Sequence, residues 1–499
     1  MFEELTNGMI NMCGFSTDLT KDDTKTNLPY TFGDAHDKYK YPGLYEEADE
    51  MLQVSLLIYS ITDLRTLAKK AKAGKLKSGS ELSNPDLILN LPLRLDVGLG
   101  MIEENVDLIR AEVGDADHEM TMSALQSIRQ RYSRDDVSLS TEENSSKKKD
   151  SSQRWRNPFA TSKTNVSASP ASNSPYLVAY GDDKPDKELV YAVGVDPVRK
   201  RVTVAFRGSV TPTDFLTDAT IAFKREPNPI QDLSKDQSET IGIHQGFYNY
   251  LLKERKENDG KSKLDEIFEH VEEAFADSEC RASYKLYVTG HSLGGALSTL
   301  FGFYAASSAI KVPTPITVVS IASPRVGDTA FQSAFACLER QGVLRHLRVA
   351  NEGDPVTILP EGSGKKVWAM MSPISYAAYK ISDSKFKDKE TYRHTGVKLL
   401  LLKRKGSKGE YTETQDKYKL SYSVKSMKAN GGKIRGEENE ENNSKGSQIG
   451  NILPSFKMED IPEVWFHFGD TYCENMTSVK EDLAPLSLNE VYRSVTRGH

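Results

Sequence analysis

The chain has 499 residues, enough for about three average domains or for one large α/β unit carrying appendages. A hydrophobic fraction of 38 %, with 34 Gly and 21 Pro, supports a globular body and excludes a collagen-like or wholly disordered chain. With 65 basic against 71 acidic residues the formal charge is −6, so no global positive field favours nucleic acid, and neither DNA nor RNA is expected as a partner.

The N-terminal Met1-Phe-Glu-Glu-Leu5 is acidic where a secretory signal needs positive charge, and no apolar run approaches the ~18 residues that span a bilayer. Cys13, Cys280, Cys337 and Cys473 are widely spaced and form no Cys-x-x-Cys pair, so a reduced cytoplasmic setting is expected, with any membrane contact peripheral. Met51, Val54, Leu57, Ile58, Ile61, Leu64 and Leu67 recur at helical spacing, and Met101 to Val113 repeats the pattern more weakly. Residues 1–133 therefore read as a helical N-terminal extension. From 134 to 174 the composition turns to Ser, Thr, Asn, Lys and Glu, which cannot bury enough surface to offset ordering entropy, and a disordered linker is predicted. Within it Lys147 to Arg156 is a basic run, read chiefly as a solvated face and secondarily as attraction for an anionic membrane surface.

Residues 175–499 form the remaining domain. Short β-branched runs (Leu189–Val195, Val202–Phe206, Leu286–Thr289, Ile316–Ile321, Leu344–Val349, Val397–Leu402) alternate with amphipathic helices, such as the one carrying Leu264, Ile267, Phe268, Val271 and Phe275. The predicted class is α/β, a mostly parallel central sheet with helices on both faces. A second polar stretch, 403–450, reads as a low-complexity surface insertion.

The run Tyr284-Lys-Leu-Tyr-Val-Thr-Gly290-His291-Ser292-Leu293-Gly294-Gly295-Ala296 is a strand, then Gly-x-Ser-x-Gly, then a small-residue helix. That order suits a nucleophile on a strained strand-to-helix turn, where the glycines let neighbouring backbone approach. A serine needs a base and a group to orient it, and in such a fold they follow as acid, then His. Asp354 lies just past the carboxyl end of the Leu344–Val349 run, with Glu352 and Asp328 as weaker candidates. Three histidines follow it: His394 precedes the Val397–Leu402 run and so stands at its amino end, His499 is the last residue, and His467 lies on the correct side. Oxyanion donors are expected from Leu293 N–H and from the turn after Phe206.

Taken in order, Phe206-Arg-Gly-Ser209, Asp214-Phe-Leu-Thr-Asp218, Ile243-His-Gln-Gly-Phe247, Gly290-His-Ser-Leu-Gly294, Ala322-Ser-Pro-Arg-Val-Gly-Asp328 and Arg348-Val-Ala-Asn-Glu-Gly-Asp354 resemble the class 3, or fungal-type, lipases of the α/β-hydrolase superfamily. The resemblance implies an acylglycerol or phospholipid ester as substrate, with no metal or organic cofactor. It implies Ser292 as nucleophile, Asp354 as acid, His467 as base, and backbone donors at Ser209 and Leu293. It also implies a mobile flap over about Val210 to Ile241, which would act at a membrane or lipid-droplet surface. His291 and His244 fall inside the motifs and read as hydrogen-bonding or packing residues. Two other readings remain open: a non-catalytic lipase-like scaffold binding lipid or protein, and an esterase for non-lipid esters.

Overall fold

The computed structural model describes residues 41–77, 81–113, 128, 174–183, 188–208, 222–230, 238–256, 259–276, 283–360, 392–403, 416–422 and 469–497. Its first helix, α1 (Leu44–Lys72), carries Glu46 and Glu47 in the first turn and Lys69, Lys70 and Lys72 in the last, charges that complement the helix dipole at both ends. Leu44, Met51, Leu52, Leu56, Leu64 and Leu67 are almost wholly buried, and Glu47, Asp49, Glu50 and Gln53 are buried with them. A helix covered on every side belongs to a core.

That core is built on one sheet. The strands are β1 (Leu93–Arg94), β2 (Tyr176–Gly181), β3 (Tyr191–Asp196), β4 (Arg201–Phe206), β5 (Phe223–Pro227), β6 (Thr240–His244), β7 (Lys285–His291), β8 (Ile316–Ile321), β9 (Leu344–Asn351), β10 (Val397–Leu401) and β11 (Tyr418–Tyr422). Among the described residues nine of them form a single sheet in the order β1-β2-β3-β4-β7-β8-β9-β10-β11, while β5 and β6 make a separate hairpin. From β4 to β10 neighbouring strands are parallel, and β1 to β4 and β11 pair antiparallel at the two edges. The parallel strands carry the near-continuous apolar runs expected of strands covered on both faces.

The remaining longer helices are α2 (Leu95–Glu104), α3 (Val106–Val113), α4 (Gln245–Leu251), α5 (Lys263–Ala274), α6 (Leu293–Tyr304), α7 (Thr329–Arg340), α8 (Gly469–Ser478) and α9 (Leu488–Arg497). One face of the sheet packs on α4 to α7 through Phe247, Ile267, Phe301, Phe303, Phe331 and Phe335. The other packs on α1, α8 and α9, with Leu44, Met51, Leu52, Tyr472, Met476 and Tyr492 against Tyr287, Val319, Ile321, Leu347 and Val349. The predicted α/β class and all six expected strands are present. Inside the stretch read as a low-complexity insertion, β11 pairs with β10 from Val397 opposite Tyr422 to Leu401 opposite Tyr418. Its half-exposed edge position lets a polar sequence serve as a strand. Among the described residues no helix is long and apolar enough to cross a membrane.

Candidate active site

The strand-to-helix turn at Ser292 is tight. Ser292 adopts φ 58° and ψ −124°, a left-handed conformation that costs a non-glycine residue energy and persists only where its surroundings enforce it. Here they do: Ser292 N donates to Ile321 O at 2.9 Å and Gly295 N donates to Ser292 O at 2.9 Å. The glycines permit the crowding, because a Cβ at Gly290 would strike the Gly294 carbonyl, one at Gly294 the Phe206 carbonyl, and one at Gly295 would lie 2.9 Å from Ile321 O. Leu293 opens α6, so its N–H stands among the unpaired donors of a helix start, where negative charge is favoured.

Gly208, the residue before Ser209, packs against this turn. A Cβ there would lie 2.6 Å from His291 O and 3.2 Å from the Ser292 Cβ, and would clash with the Tyr59 hydroxyl. Gly208 N donates to Tyr59 Oη at 3.0 Å. Ser209 itself lies outside the described residues, as do His467, His499, the segment 210–221 of the expected flap, the basic run 147–156, and the linker up to residue 173. The described ends of the expected flap form the β5–β6 hairpin, where Phe223 stacks on Tyr392 with ring centroids 4.1 Å apart.

Asp354 follows the carboxyl end of β9. His291 pairs with Ile321, and Ile321 with Val349, so Ser292 and the start of the Asp354 loop emerge from the same edge. They are two strands apart, which is about 10 Å at ~4.8 Å per strand. The Asp354 side chain is buried and held at both oxygens: Val356 N donates to Oδ1 at 2.9 Å, and the Tyr472 hydroxyl donates to Oδ2 at 2.7 Å. Burial and the adjacent carboxylate hold the Tyr472 phenol well above its ordinary value, so it remains a proton donor. The same phenol oxygen accepts from Asn351 N at 3.0 Å.

Other polar side chains named from the sequence have different partners. Asp328 caps α7, accepting from Phe331 N at 2.8 Å, and pairs with Arg225. Glu352 accepts from Lys403 N at 2.9 Å. His394 precedes β10, whose first residue, Val397, lies opposite Leu347. Its Nε2 donates to Thr357 O at 2.6 Å, and burial holds the ring well below its usual value, as a neutral imidazole. His244 caps α4 by accepting from Gly246 N at 3.1 Å, and burial pushes it down to about 4. His291 Nδ1 is 3.4 Å from the Tyr59 hydroxyl. Tyr59 and Tyr472 escaped sequence reasoning, since each sits at ordinary helical core spacing; the one local signal is that Tyr472 follows His467 by five residues.

Residues 203–363, from β4 through the Asp354 loop, match the family profile described as lipase (class 3). This segment belongs to the class 3 lipases. The class 3 lipase segment is 32 % identical over 178 residues to a phospholipase A1-II 7 of Oryza sativa subsp. indica, an alignment covering 32 % of this chain and 42 % of the relative. It is 30 % identical over 174 residues to phospholipase A1-IIgamma of Arabidopsis thaliana, covering 32 % and 39 %. A Caenorhabditis elegans protein named a lipase is 31 % identical over 166 residues, covering 33 % and 40 %. The chain thus spans about two fifths of the length of these curated relatives, with 42 %, 39 % and 40 % covered. Lipase II from Rhizopus niveus superposes with a TM-score of 0.32 at 20 % identity, covering 45 % of this chain and 66 % of that one, so the fold rests on the strand order and the Ser292 turn. The matched span holds Ser292 and Asp354 and ends before either candidate histidine.

Proposed function

We propose that the protein is a serine hydrolase that cleaves carboxylic esters of glycerolipids, acylglycerols or phospholipids, through an acyl-enzyme. The observation that carries this reading is the enforced left-handed conformation of Ser292 at the end of β7, between a packed glycine turn and an aspartate fixed at both oxygens. Strain held at a serine between a strand end and a helix start is the mark of a nucleophile turn. Ser292 Oγ attacks the ester carbonyl carbon while His467 removes the hydroxyl proton. The carbonyl oxygen gains the charge, and the Leu293 and Ser209 amides receive it. His467 then returns the proton to the leaving alcohol, and water repeats the sequence on the acyl group to regenerate Ser292. Asp354 holds the imidazole in the tautomer that accepts from serine.

Support for His467 comes from chain reach. Tyr472 in α8 touches Asp354, and His467 stands five residues earlier, so at no more than ~3.5 Å per residue its backbone lies within about 18 Å of Tyr472. The Thr357 contact leaves His394 engaged elsewhere.

The deciding experiment combines fluorophosphonate labelling with hydrolysis of short-chain and long-chain esters and of a phospholipid. Wild type should label and turn over, while Ser292→Ala should remain folded, stay unlabelled and lose on the order of 10⁴-fold in kcat. An unlabelled wild type would leave a non-catalytic scaffold, and activity confined to short soluble esters would leave an esterase.

A further inference from the structure

Side chains alternate between the two faces of β9. Arg345 turns to Glu47 of α1, His346 meets Phe335 of α7 with ring centroids 5.3 Å apart, and Arg348 follows His346 on that α7 face. Arg348 is only 5 % exposed, its Nε is buried without a partner, and among the described residues no hydrogen bond or ion pair reaches its guanidinium. A buried charge is costly unless it is paired. Two further cations crowd this one. Lys398 lies directly opposite Arg348 in the parallel pairing of β9 with β10 and so shares its face. Arg325 follows β8, and burial together with its charge pushes Arg348 down to about 9, still cationic at neutral pH. Burial holds the His394 ring neutral, and the same three cations oppose its protonation. The loops that carry these groups are tied to one another: Arg325 N donates to Leu359 O at 2.7 Å, and His394 Nε2 to Thr357 O at 2.6 Å. The acids that follow β9 are engaged elsewhere, Glu352 with Lys403 N and Asp354 with Val356 N and the Tyr472 hydroxyl.

Like charges gathered at a strand end repel one another, and an anion among them relieves both the repulsion and the unpaired guanidinium. We propose that Arg348, with Arg325 and Lys398, forms an anion site that takes a phosphate group. Arginine suits that group because its planar fork meets two oxygens at once. The site lies toward the carboxyl edge of the parallel strands, where α/β sheets bind ligands. On the row Gly290, Ser320, Arg348 it stands two strands from the one that ends in Ser292, about 10 Å at ~4.8 Å per strand. Two sources can supply the phosphate. One is the headgroup of a glycerophospholipid whose ester lies at Ser292, which rests on the hydrolase reading given above; the other is free inorganic phosphate.

The test compares the full chain with Arg348→Met, which keeps an apolar stem and removes the charge. Hydrolysis is measured on a phosphatidylcholine and a diacylglycerol of identical acyl chains in mixed micelles, and thermal midpoints are read in inorganic phosphate and in chloride at equal ionic strength. If the headgroup is the source, the ratio of kcat/KM for the phospholipid to that for the diacylglycerol falls in the variant by on the order of 10- to 100-fold, the worth of a charge-assisted bond. If free phosphate is the source, phosphate raises the wild-type midpoint, Arg348→Met loses most of that rise, and the substrate ratio stays as it was. Either result supports the anion site, and a purely structural arginine produces neither. Should Arg348→Met fail to fold, Lys398→Glu sets a carboxylate beside Arg348 at a half-buried position and should bring the same losses. An unaltered substrate ratio together with an equal phosphate response in wild type and variant overturns the proposal. A wild type that neither turns over nor takes the fluorophosphonate overturns the hydrolase reading, and the phosphate midpoints then decide the anion site alone.

Discussion

Replacing Tyr472 by Phe removes one oxygen atom and two hydrogen bonds while leaving the buried ring in place. The first is the 2.7 Å bond to Asp354 Oδ2, a bond to a buried carboxylate worth ~1.5–3 kcal/mol. The second is the 3.0 Å bond from Asn351 N, whose loss strands a buried amide at a cost of ~1–3 kcal/mol. Together they amount to about 2.5–6 kcal/mol of stability, a fall of roughly 10 °C in Tm for a domain of this size. Asp354 keeps Val356 N on Oδ1, so the carboxylate stays in place but gains freedom at the oxygen nearest α8. If the whole charge-assisted bond served the transition state, kcat would drop by on the order of 100-fold at most, from 1.36 kcal/mol per decade. Scanning calorimetry and steady-state hydrolysis of a soluble ester read both quantities. A Tm within ~2 °C of wild type, or an unchanged kcat in a destabilised protein, would refute the reasoning that Tyr472 both anchors α8 and orients the acid.

Three further outcomes are expected. His467→Ala should match Ser292→Ala in lost activity while His394→Ala has a far smaller effect, since members of one triad act as a unit; the reverse order, measured as kcat, would move the base to the amino end of β10. Glu339 accepts from Tyr492 at 2.6 Å and Tyr422 at 2.7 Å, and burial, opposed by Arg340, pushes its carboxyl up from 4.5 to about 7. Its folded value exceeds its unfolded one, so its contribution is full below pH 4.5 and fades as pH rises through 7, by about 3 kcal/mol; Glu339→Gln should flatten the Tm-against-pH curve over that window, and parallel curves would exclude the effect. Glu47→Gln should destabilise by ~3–5 kcal/mol in urea unfolding, because the Arg345 guanidinium it pairs with at 2.9 and 3.0 Å is fully buried, whereas adding Arg345→Met should restore much of the loss; an additive double variant would show that the pair is not coupled.

Local chemistry explains what could be read from the sequence. The Ser292 turn is specified within a dozen residues, and each glycine meets a neighbour fixed by the same strand-turn-helix unit, so it was legible. The position of Asp354 past the end of β9 was legible because strand ends in a parallel sheet gather on one edge. The helical character of α1 was also plain from its spacing, but its polar side was not. Nothing in the sequence around Glu47 and Glu50 marks them as buried, yet they pair with Arg345, Arg199 and Arg201, cations far along the chain. Periodicity carries no information about such partners. Tyr59 and Tyr472 were hidden for the same reason, since their hydroxyls act across the sheet while their rings fill ordinary core positions. The edge strand β11 was obscured by its Lys and Ser, which face solvent between Tyr418, Leu420 and Tyr422.

The placement of α1 also bears on how the protein is made. Glu47 leaves the ribosome long before its partner, because Arg345 is 298 residues further on. At ~5–20 residues per second, synthesis of that interval takes about 15–60 s. For much of that time the first half of the helix lacks the strands it covers, β7 to β9, while its second half can already meet α2, α3, β3 and β4. The first half of the helix is thus open to chaperones and proteases until those strands emerge. Its arrival on the sheet closes the face opposite α6, behind the turn that holds Ser292.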